Sequence, residues 1–531
     1  MKSGTASSAA GSTAGETAGT VRLGTPVGRG VLATTILGSA MAFLDGTVVN
    51  IALPAIGRQF SATLAGLQWT VTGYTLTLAA FVLVGGSLGD RFGRREVFLV
   101  GVVWFALASL ACGLAPNIGF LIAFRALQGV GSALLTPGAL ALIQSVFHPD
   151  DRAKAVGAWS GLASIAGAAG PLVGGWLVEY ASWRWIFLVN LPLAAAVVMI
   201  ALRYVPETRE TTSGHFDVPG AVLGALGLAG VTYALVEAGA KGLGATSVIV
   251  TGLAGLIGLV AFVLVERRSP APMMPLSLFS SREFSAANAL TLTAYGALGA
   301  LFFFFATYLQ VVGGYKPLAA GLASLPTTIV MMLLSSRVGG LTTKIGPRRL
   351  MTAGGALTAV GTLLLATAGS HPDYWLHIFP ALLVFSFGLV MIAVPVTVTV
   401  LNSTTVERAG IASGVNNAVA RAAGALAVAA FPLMVGLKGG GYADPAKLEP
   451  AFSRAMVLTA VLFAISGAIA WFGIRDEATR RTEDREPERA QCQTCLPIGS
   501  PPLEPDRRSE AGSGRGPGPG PGREAGVGSS L

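Results

Sequence analysis

Fourteen apolar stretches run through this 531-residue chain, each long enough to cross a bilayer as a helix. A helix needs about 20 apolar residues for that span. The stretches begin near Val31, Gly66, Val97, Phe120, Ala153, Arg184, Pro219, Thr246, Phe284, Leu318, Leu350, Tyr374, Ala409 and Ala455. They are too many and too long to be the buried core helices of soluble domains. Residues are 52% hydrophobic and 12% charged, the latter about half of what a soluble domain carries. The chain therefore reads as an all-α polytopic membrane protein.

A short basic turn appears twice between these stretches. Residues 85–101 read GGSLGDRFGRREVFLVG, and Gly339 to Leu350 read GGLTTKIGPRRL, at an offset of 253 residues. Gly86, Leu88, Arg91, Gly93 and Arg95 then fall on Gly339, Leu341, Lys344, Gly346 and Arg348. The same offset places Gly157, Ser160 and Gly161 on Gly410, Ser413 and Gly414. Two homologous membrane halves are the layout of a secondary transporter. Segments 1–6 and 9–14 make two six-helix bundles, with segments 7 and 8 as an inserted pair. The division expected is a flexible N-terminus over 1–30, a first bundle over 31–205, an inserted pair with its linkers over 206–283, a second bundle over 284–475 and a disordered Pro/Gly-rich tail over 476–531.

Charge placement sets the orientation. With the N-terminus inside, the inner loops and helix ends carry fifteen lysines and arginines, among them Arg91, Arg94, Arg95, Arg348 and Arg349. The outer ones carry seven, namely Arg58, Arg184, Lys241, Lys316, Lys438, Lys447 and Arg454. The positive-inside rule puts both termini in the cytoplasm of a cell-membrane protein. Loops facing anionic lipid account for the net charge of +9, so no nucleic-acid partner is needed. The apolar run from Val31 to Ile56 is too long for a signal-peptide core and reads as a retained helix.

Metal and nucleotide chemistry find no support. Cys112 lies in an apolar helix as a small core residue, and Cys492 and Cys495 form a CxxC without the second pair of a zinc site. The four histidines (His148, His215, His371 and His377) have no ligand spacing, and no GxxxxGK[ST] phosphate loop exists. The expectation is a transporter rather than an enzyme, without metal or cofactor.

Four motifs in the first half resemble the major facilitator superfamily, and specifically its fourteen-helix drug:proton antiporters. In segment 1, Leu44-Asp45-Gly46-Thr47-Val48-Val49-Asn50-Ile51-Ala52-Leu53-Pro54 is similar to the signature of that antiporter group. The turn from Gly86 to Arg95 resembles the loop between helices 2 and 3 of the superfamily. Arg125, Gln128 and Gly129 in segment 4 have the spacing of its proton-coupling motif, and Gly157, Gly170, Pro171, Gly174 and Gly175 in segment 5 resemble its antiporter motif. Ala166 stands where the family has glycine. The resemblance implies the major facilitator fold, alternating access between two bundles, a proton gradient as the energy source and function as a monomer.

Each candidate residue admits a plainer role. Asp45 lies mid-membrane, where an ionised carboxylate is costly, and can either exchange a proton or serve as a permanently paired structural ion. Arg125 is the matching cation, for coupling or for bracing helices. Asp90, Arg91 and Arg94, with Gly86 and Gly93, form a latch that the halves break and remake, or merely set topology. Asp90 can pair with Arg94 and with a helix N-terminus of the other half, whereas its counterpart Thr343 cannot. The glycines of segment 5 allow close helix approach and Pro171 bends the backbone. Candidate substrate contacts between the halves are Asn50, Gln68, Trp69, Tyr74, Gln128, Tyr295, Gln310, Asn416, Asn417 and Arg421. The reading is a proton-driven exporter of small amphipathic or apolar compounds, with two rivals: an importer or uniporter on the same fold, and a membrane receptor or enzyme, for which the sequence offers neither a soluble sensory domain nor a catalytic constellation.

Overall fold

The structure, a computed structural model, describes residues 21–209, 217–270, 272–405 and 408–475. His215, Cys492, Cys495 and the expected disordered tail lie outside the described residues.

Fourteen helices long and apolar enough to span a bilayer follow one another: α1 Pro26–Phe60, α2 Leu64–Phe92, α3 Arg94–Gly113, α4 Ile118–Val146, α5 Pro149–Tyr180, α6 Trp185–Tyr204, α7 Val218–Lys241, α8 Thr246–Arg268, α9 Arg282–Val311, α10 Pro317–Ile345, α11 Pro347–Ala366, α12 Tyr374–Asn402, α13 Ala409–Met434 and α14 Pro445–Gly473. No strand occurs among the described residues, beyond a single bridge between Val21 and Phe147. The architecture is two six-helix bundles, α1–α6 and α9–α14, with α7 and α8 inserted between them. Successive helices alternate in direction. We call the face where α1 begins the near face and the face where it ends the far face.

Two helix starts differ from the sequence reading. Helix α1 begins at Pro26, because the Thr25 hydroxyl accepts from the Gly28 amide and Pro26 fits the first turn. The lead-in expected to be flexible through residue 30 is also pinned at Val21. The Val21 amide donates to Val146 O, and the His148 amide donates to Val21 O. Helix α14 begins at Pro445, well before Ala455, since the Asp444 side chain caps it by accepting from the Ala446 amide. Lys447, Glu449 and Arg454 make this first stretch polar, which hid it from an apolar count.

The duplicated turn has the same backbone in both copies. Gly93 and Gly346 take φ of +116° and +93°, values that disfavour any side chain, and each amide closes the preceding helix on the residue four back. Gly89 lies inside α2, so the reversal itself falls on Gly93.

The two bundles meet chiefly toward the far face. One apolar core is continuous between them there and includes Leu53, Leu64, Leu67, Phe303, Phe304, Val428, Phe431 and Leu448. The second large cluster, with Val31, Phe98, Phe147 and Ala201, has all its buried residues in the first bundle, with the partly buried Ala418 of α13 packed against it. Hydrogen bonds joining the bundles within the described residues follow the same division. The Gln68 amide donates to Val428 O at 2.8 Å and Ala429 O at 3.0 Å. Gln310 donates to Ile51 O at 2.9 Å, and Tyr442 donates to Ala62 O at 2.9 Å. The Leu318 amide donates to the Glu179 carboxylate at 3.0 Å. Toward the near face, Gly157 and Gly161 of α5 and Gly410 of α13 have open space where a Cβ would stand. The structure is thus closed at the far face. The inserted pair packs along the seam, with the Trp69 ring 6.0 Å from that of Tyr233 in α7 and Ala234 and Ala238 against Leu433.

Candidate functional site

Asp45 and Arg125 meet in the membrane interior. Arg125 Nη1 donates to Asp45 Oδ2 at 2.5 Å, with the two side chains 1% and 0% exposed. Helix geometry brings Gln128 to the same face of α4 as Arg125, one turn on. Gln128 Oε1 accepts from Arg125 Nη1 at 2.8 Å, and its Nε2 donates to Asp45 Oδ1 at 2.9 Å. Both carboxylate oxygens are therefore occupied. Arg125 Nε donates to Thr70 O of α2 at 3.1 Å, and the guanidinium carbon lies 4.3 Å from the centre of the Tyr74 ring. The Tyr74 hydroxyl bonds in turn to Ser132 at 2.9 Å and donates to Ala42 O at 3.3 Å. One ion pair thus ties α1, α2 and α4 together.

A further layer was not read from the sequence. Ser109 of α3 accepts from Gln128 Nε2 at 3.2 Å and from Asn190 Nδ2 at 3.1 Å, while its hydroxyl donates to Phe187 O at 2.8 Å. Single polar residues in otherwise apolar stretches were the available signal for Ser109 and Asn190. Removing one partner of a buried ion pair costs about 3–5 kcal/mol, because the other charge is stranded. Arg125 is better insured than a bare pair, having Thr70 O, Gln128 and the Tyr74 face besides Asp45.

The expected latch is half formed here. Asp90 accepts from Arg94, whose Nη2 lies 2.8 Å from Oδ1, and the Asp90 side chain remains 45% exposed. Arg91 lies over the Phe92 ring at 5.5 Å, and Gly86 packs against Pro137. What seats the turn is a residue that sequence reasoning missed. Glu207, just past α6, accepts from the Arg95 and Glu96 amides at 3.2 Å each, and Thr208 O accepts from the Arg94 amide at 3.0 Å. An acidic side chain thereby caps the N-terminus of α3, where Gly93 has no side chain to do so. A Cβ at Gly93 would stand 2.7 Å from that carboxylate. In the second copy Thr343 donates only to Gly340 O within its own helix, at 2.8 Å. Asp90→Asn is accordingly expected to lower transport severalfold at normal membrane abundance, and Thr343→Ala to leave it within about twofold. Transport normalised to folded protein measures both, and equal losses would contradict the asymmetry.

The helix α5 motif divides by depth. A Cβ on Gly170 would lie 2.0 Å from the Thr47 hydroxyl, and one on Gly174 would lie 2.4 Å from Val48 Cγ2, so these two glycines seat α5 on α1. A Cβ on Gly175 would stand 2.5 Å from Pro317 O, and one on Gly321 of α10 would stand 2.1 Å from Pro171 O. Gly175, Pro171 and Gly321 therefore form a backbone-to-backbone contact between the bundles at the far face. Gly157, at the other end, touches nothing of this kind.

The ten substrate-contact candidates divide by what holds them. Tyr74 and Gln128 belong to the ion-pair network already described. Gln68 and Gln310 hold the far-face closure, and Trp69 packs on the inserted helix, so none of these three is a free contact in this state. Asn416 is spent on α9, donating to Asn288 Oδ1 at 3.2 Å and Thr291 Oγ1 at 2.8 Å; it joins helices, as asparagines in membranes do. Asn50 is partly buried, with an unpartnered carbonyl oxygen. Asn417, Tyr295 and Arg421 remain. Asn417 is exposed and donates only to Ser413 O of its own helix, while the Arg421 guanidinium lies 5.9 Å from the Phe43 ring across the seam.

A sequence profile described as Major Facilitator Superfamily matches residues 35–428. The chain belongs to the major facilitator superfamily. Membership makes it a multi-pass membrane transporter of small molecules and not an enzyme. Among similar relatives, the multidrug resistance protein Stp of Mycobacterium tuberculosis is 37% identical over 388 residues, covering 73% of this chain and 72% of the relative. The puromycin resistance protein of Streptomyces alboniger is 37% identical over 411 residues, 75% of this chain and 80% of its own. The tetracenomycin C resistance and export protein of Streptomyces glaucescens is 34% identical over 412 residues, 77% and 76% of the two chains. The fold is shared with a bacterial homologue of the human lysosomal transporter Spinster, at a TM-score of 0.60 and 18% identity over 84% of this chain and 97% of that one. A peptide transporter solved with sulfate has a TM-score of 0.59 at 15% identity, over 83% and 94%.

Proposed function

We propose that this transporter exports small amphipathic or apolar compounds in exchange for protons, with both termini in the cytoplasm. The observation that carries the reading is the Asp45–Arg125 pair, wholly enclosed in the membrane interior and linking three helices of one bundle. A permanent ion pair at that depth is costly, and one that gives way to a proton is a transport element. Protonation of Asp45 removes the charge that Arg125 and Gln128 hold, freeing α1 to move against α2 and α4. Deprotonation restores the pair. The near face, which carries the basic turns, is then the cytoplasmic one, and this state receives substrate from inside the cell.

The names of the relatives, which are resistance and export proteins, support the outward direction. The proton gradient is the energy source, no cofactor enters the cycle, and a single chain suffices as the working unit. Reconstituted inside-out vesicles test the proposal. When acidified inside, they should accumulate a fluorescent drug, and collapse of the pH gradient should abolish the accumulation. Entry that only equilibrates the drug and is indifferent to the gradient would instead establish the uniporter, and gradient-driven movement in the opposite direction the importer.

A further inference from the structure

Arg421 is a cation at mid-height of α13 with no counter-ion among the described residues. Among the described residues it has neither an ion-pair nor a hydrogen-bond partner; its one contact of note is the Phe43 ring of the other bundle, 5.9 Å away. A guanidinium carries five N–H donors, and leaving them idle in a membrane interior is costly unless water or a ligand takes them. The deep acid, Asp45, cannot serve, because its oxygens are taken by Arg125 and Gln128. Nearby, Tyr295 of α9 packs against α13 one turn on from Arg421, its carbonyl oxygen 3.9 Å from where a Cβ on Gly424 would stand, and its hydroxyl likewise has no hydrogen-bond partner among the described residues.

We propose that Arg421 and Tyr295 receive an acidic group of the substrate, a carboxylate or an ionised phenol, with its aromatic body against Phe43. The substrate class is then acidic aromatic amphipaths, and organic cations are disfavoured. This rests on the exporter reading for its physiological meaning, but binding is testable without it. A planar guanidinium takes a carboxylate in two parallel bonds and stacks on a ring, which matches an anion attached to an aromatic body.

The test uses the full chain purified in detergent, with fluorescein as the anionic probe and ethidium as the cationic one, each followed by fluorescence anisotropy. Fluorescein should bind in preference to ethidium. Arg421→Gln should weaken fluorescein binding about tenfold or more, the range of a lost charge-assisted hydrogen bond, and Arg421→Lys should restore part of it. Each variant is compared at matched monodispersity, so that the partial rescue separates recognition from misfolding. Equal fluorescein binding by wild type and Arg421→Gln overturns the proposal, as does a wild-type preference for ethidium. Fluorescein binding that depends on Arg421 but is followed by no gradient-driven transport sustains this inference and defeats the exporter reading instead.

Discussion

Asp45→Asn is expected to abolish uphill efflux while leaving a folded protein in the membrane. The substitution keeps the shape of the side chain and a carbonyl oxygen that can still accept from Arg125, yet it cannot take up or release a proton. Loss of a buried carboxylate strands its cation at about 3–5 kcal/mol when nothing else holds it. Here Thr70 O, Gln128 Oε1 and the Tyr74 ring remain on Arg125, so the loss of thermal stability should fall below that range. Coupling has no such reserve. The expected result is gradient-driven efflux at background, with substrate binding retained and downhill exchange still measurable. A purely structural Asp45 gives the opposite pattern, lower folded abundance but coupled efflux per folded molecule at the wild-type level. Efflux normalised to monodisperse protein separates the two. Asp45→Asn combined with Arg125→Gln removes both charges and should recover stability without recovering coupling.

The charged part of this site was legible because the membrane makes charge expensive. Asp45 and Arg125 each stand alone in an apolar stretch, and two such residues from different helices need one another. Neutral polar residues carry no such compulsion. Gln68, Gln310, Asn416 and Trp69 were all reasonable substrate contacts by position, and the structure commits them to the far-face closure, to α9 and to the inserted helix. What distinguishes a cavity-facing glutamine from a bridging one is the rotation of its helix against the neighbouring bundle, which local spacing does not encode. Glu207 was missed for a different reason. It lies over a hundred residues from the amides it caps, and nothing near it in sequence announces a helix that lacks a cap. The duplication was readable from the aligned glycines, and the structure adds that Gly93 and Gly346 share a positive φ, an unusual backbone that accounts for glycine in both copies. Helix count followed from apolar length, whereas the start of α14 did not, its first turns being polar.

Gly321→Ala is expected to hold the transporter away from the state seen here. The added Cβ would lie 2.1 Å from Pro171 O and 2.8 Å from Pro171 C, both backbone atoms, so no rotamer change relieves the clash. Gly175→Ala meets Pro317 O at 2.5 Å and Leu318 Cα at 2.8 Å, across the same contact from the other side. Overpacking of this kind costs about 1–3 kcal/mol, and it falls only on the conformation in which α5 and α10 touch at the far face. Packing within each bundle is not crowded by it, because the nearest atoms that a Cβ on either glycine would meet belong to the other bundle. A penalty confined to one of two states shifts their ratio by about 5- to 150-fold, so the far-face-open state should come to dominate. Transport should fall about tenfold or more in either variant, with folded abundance near normal. A cysteine introduced at Leu67, buried under the far-face closure, supplies the readout that a general folding defect would not. Its labelling by a membrane-impermeant maleimide added from outside should be slow in the parent and faster in Gly321→Ala. Unchanged labelling together with unchanged transport would mean that the helices adjust locally, and that the backbone contact through Gly175, Pro171 and Gly321 does not decide which face is closed.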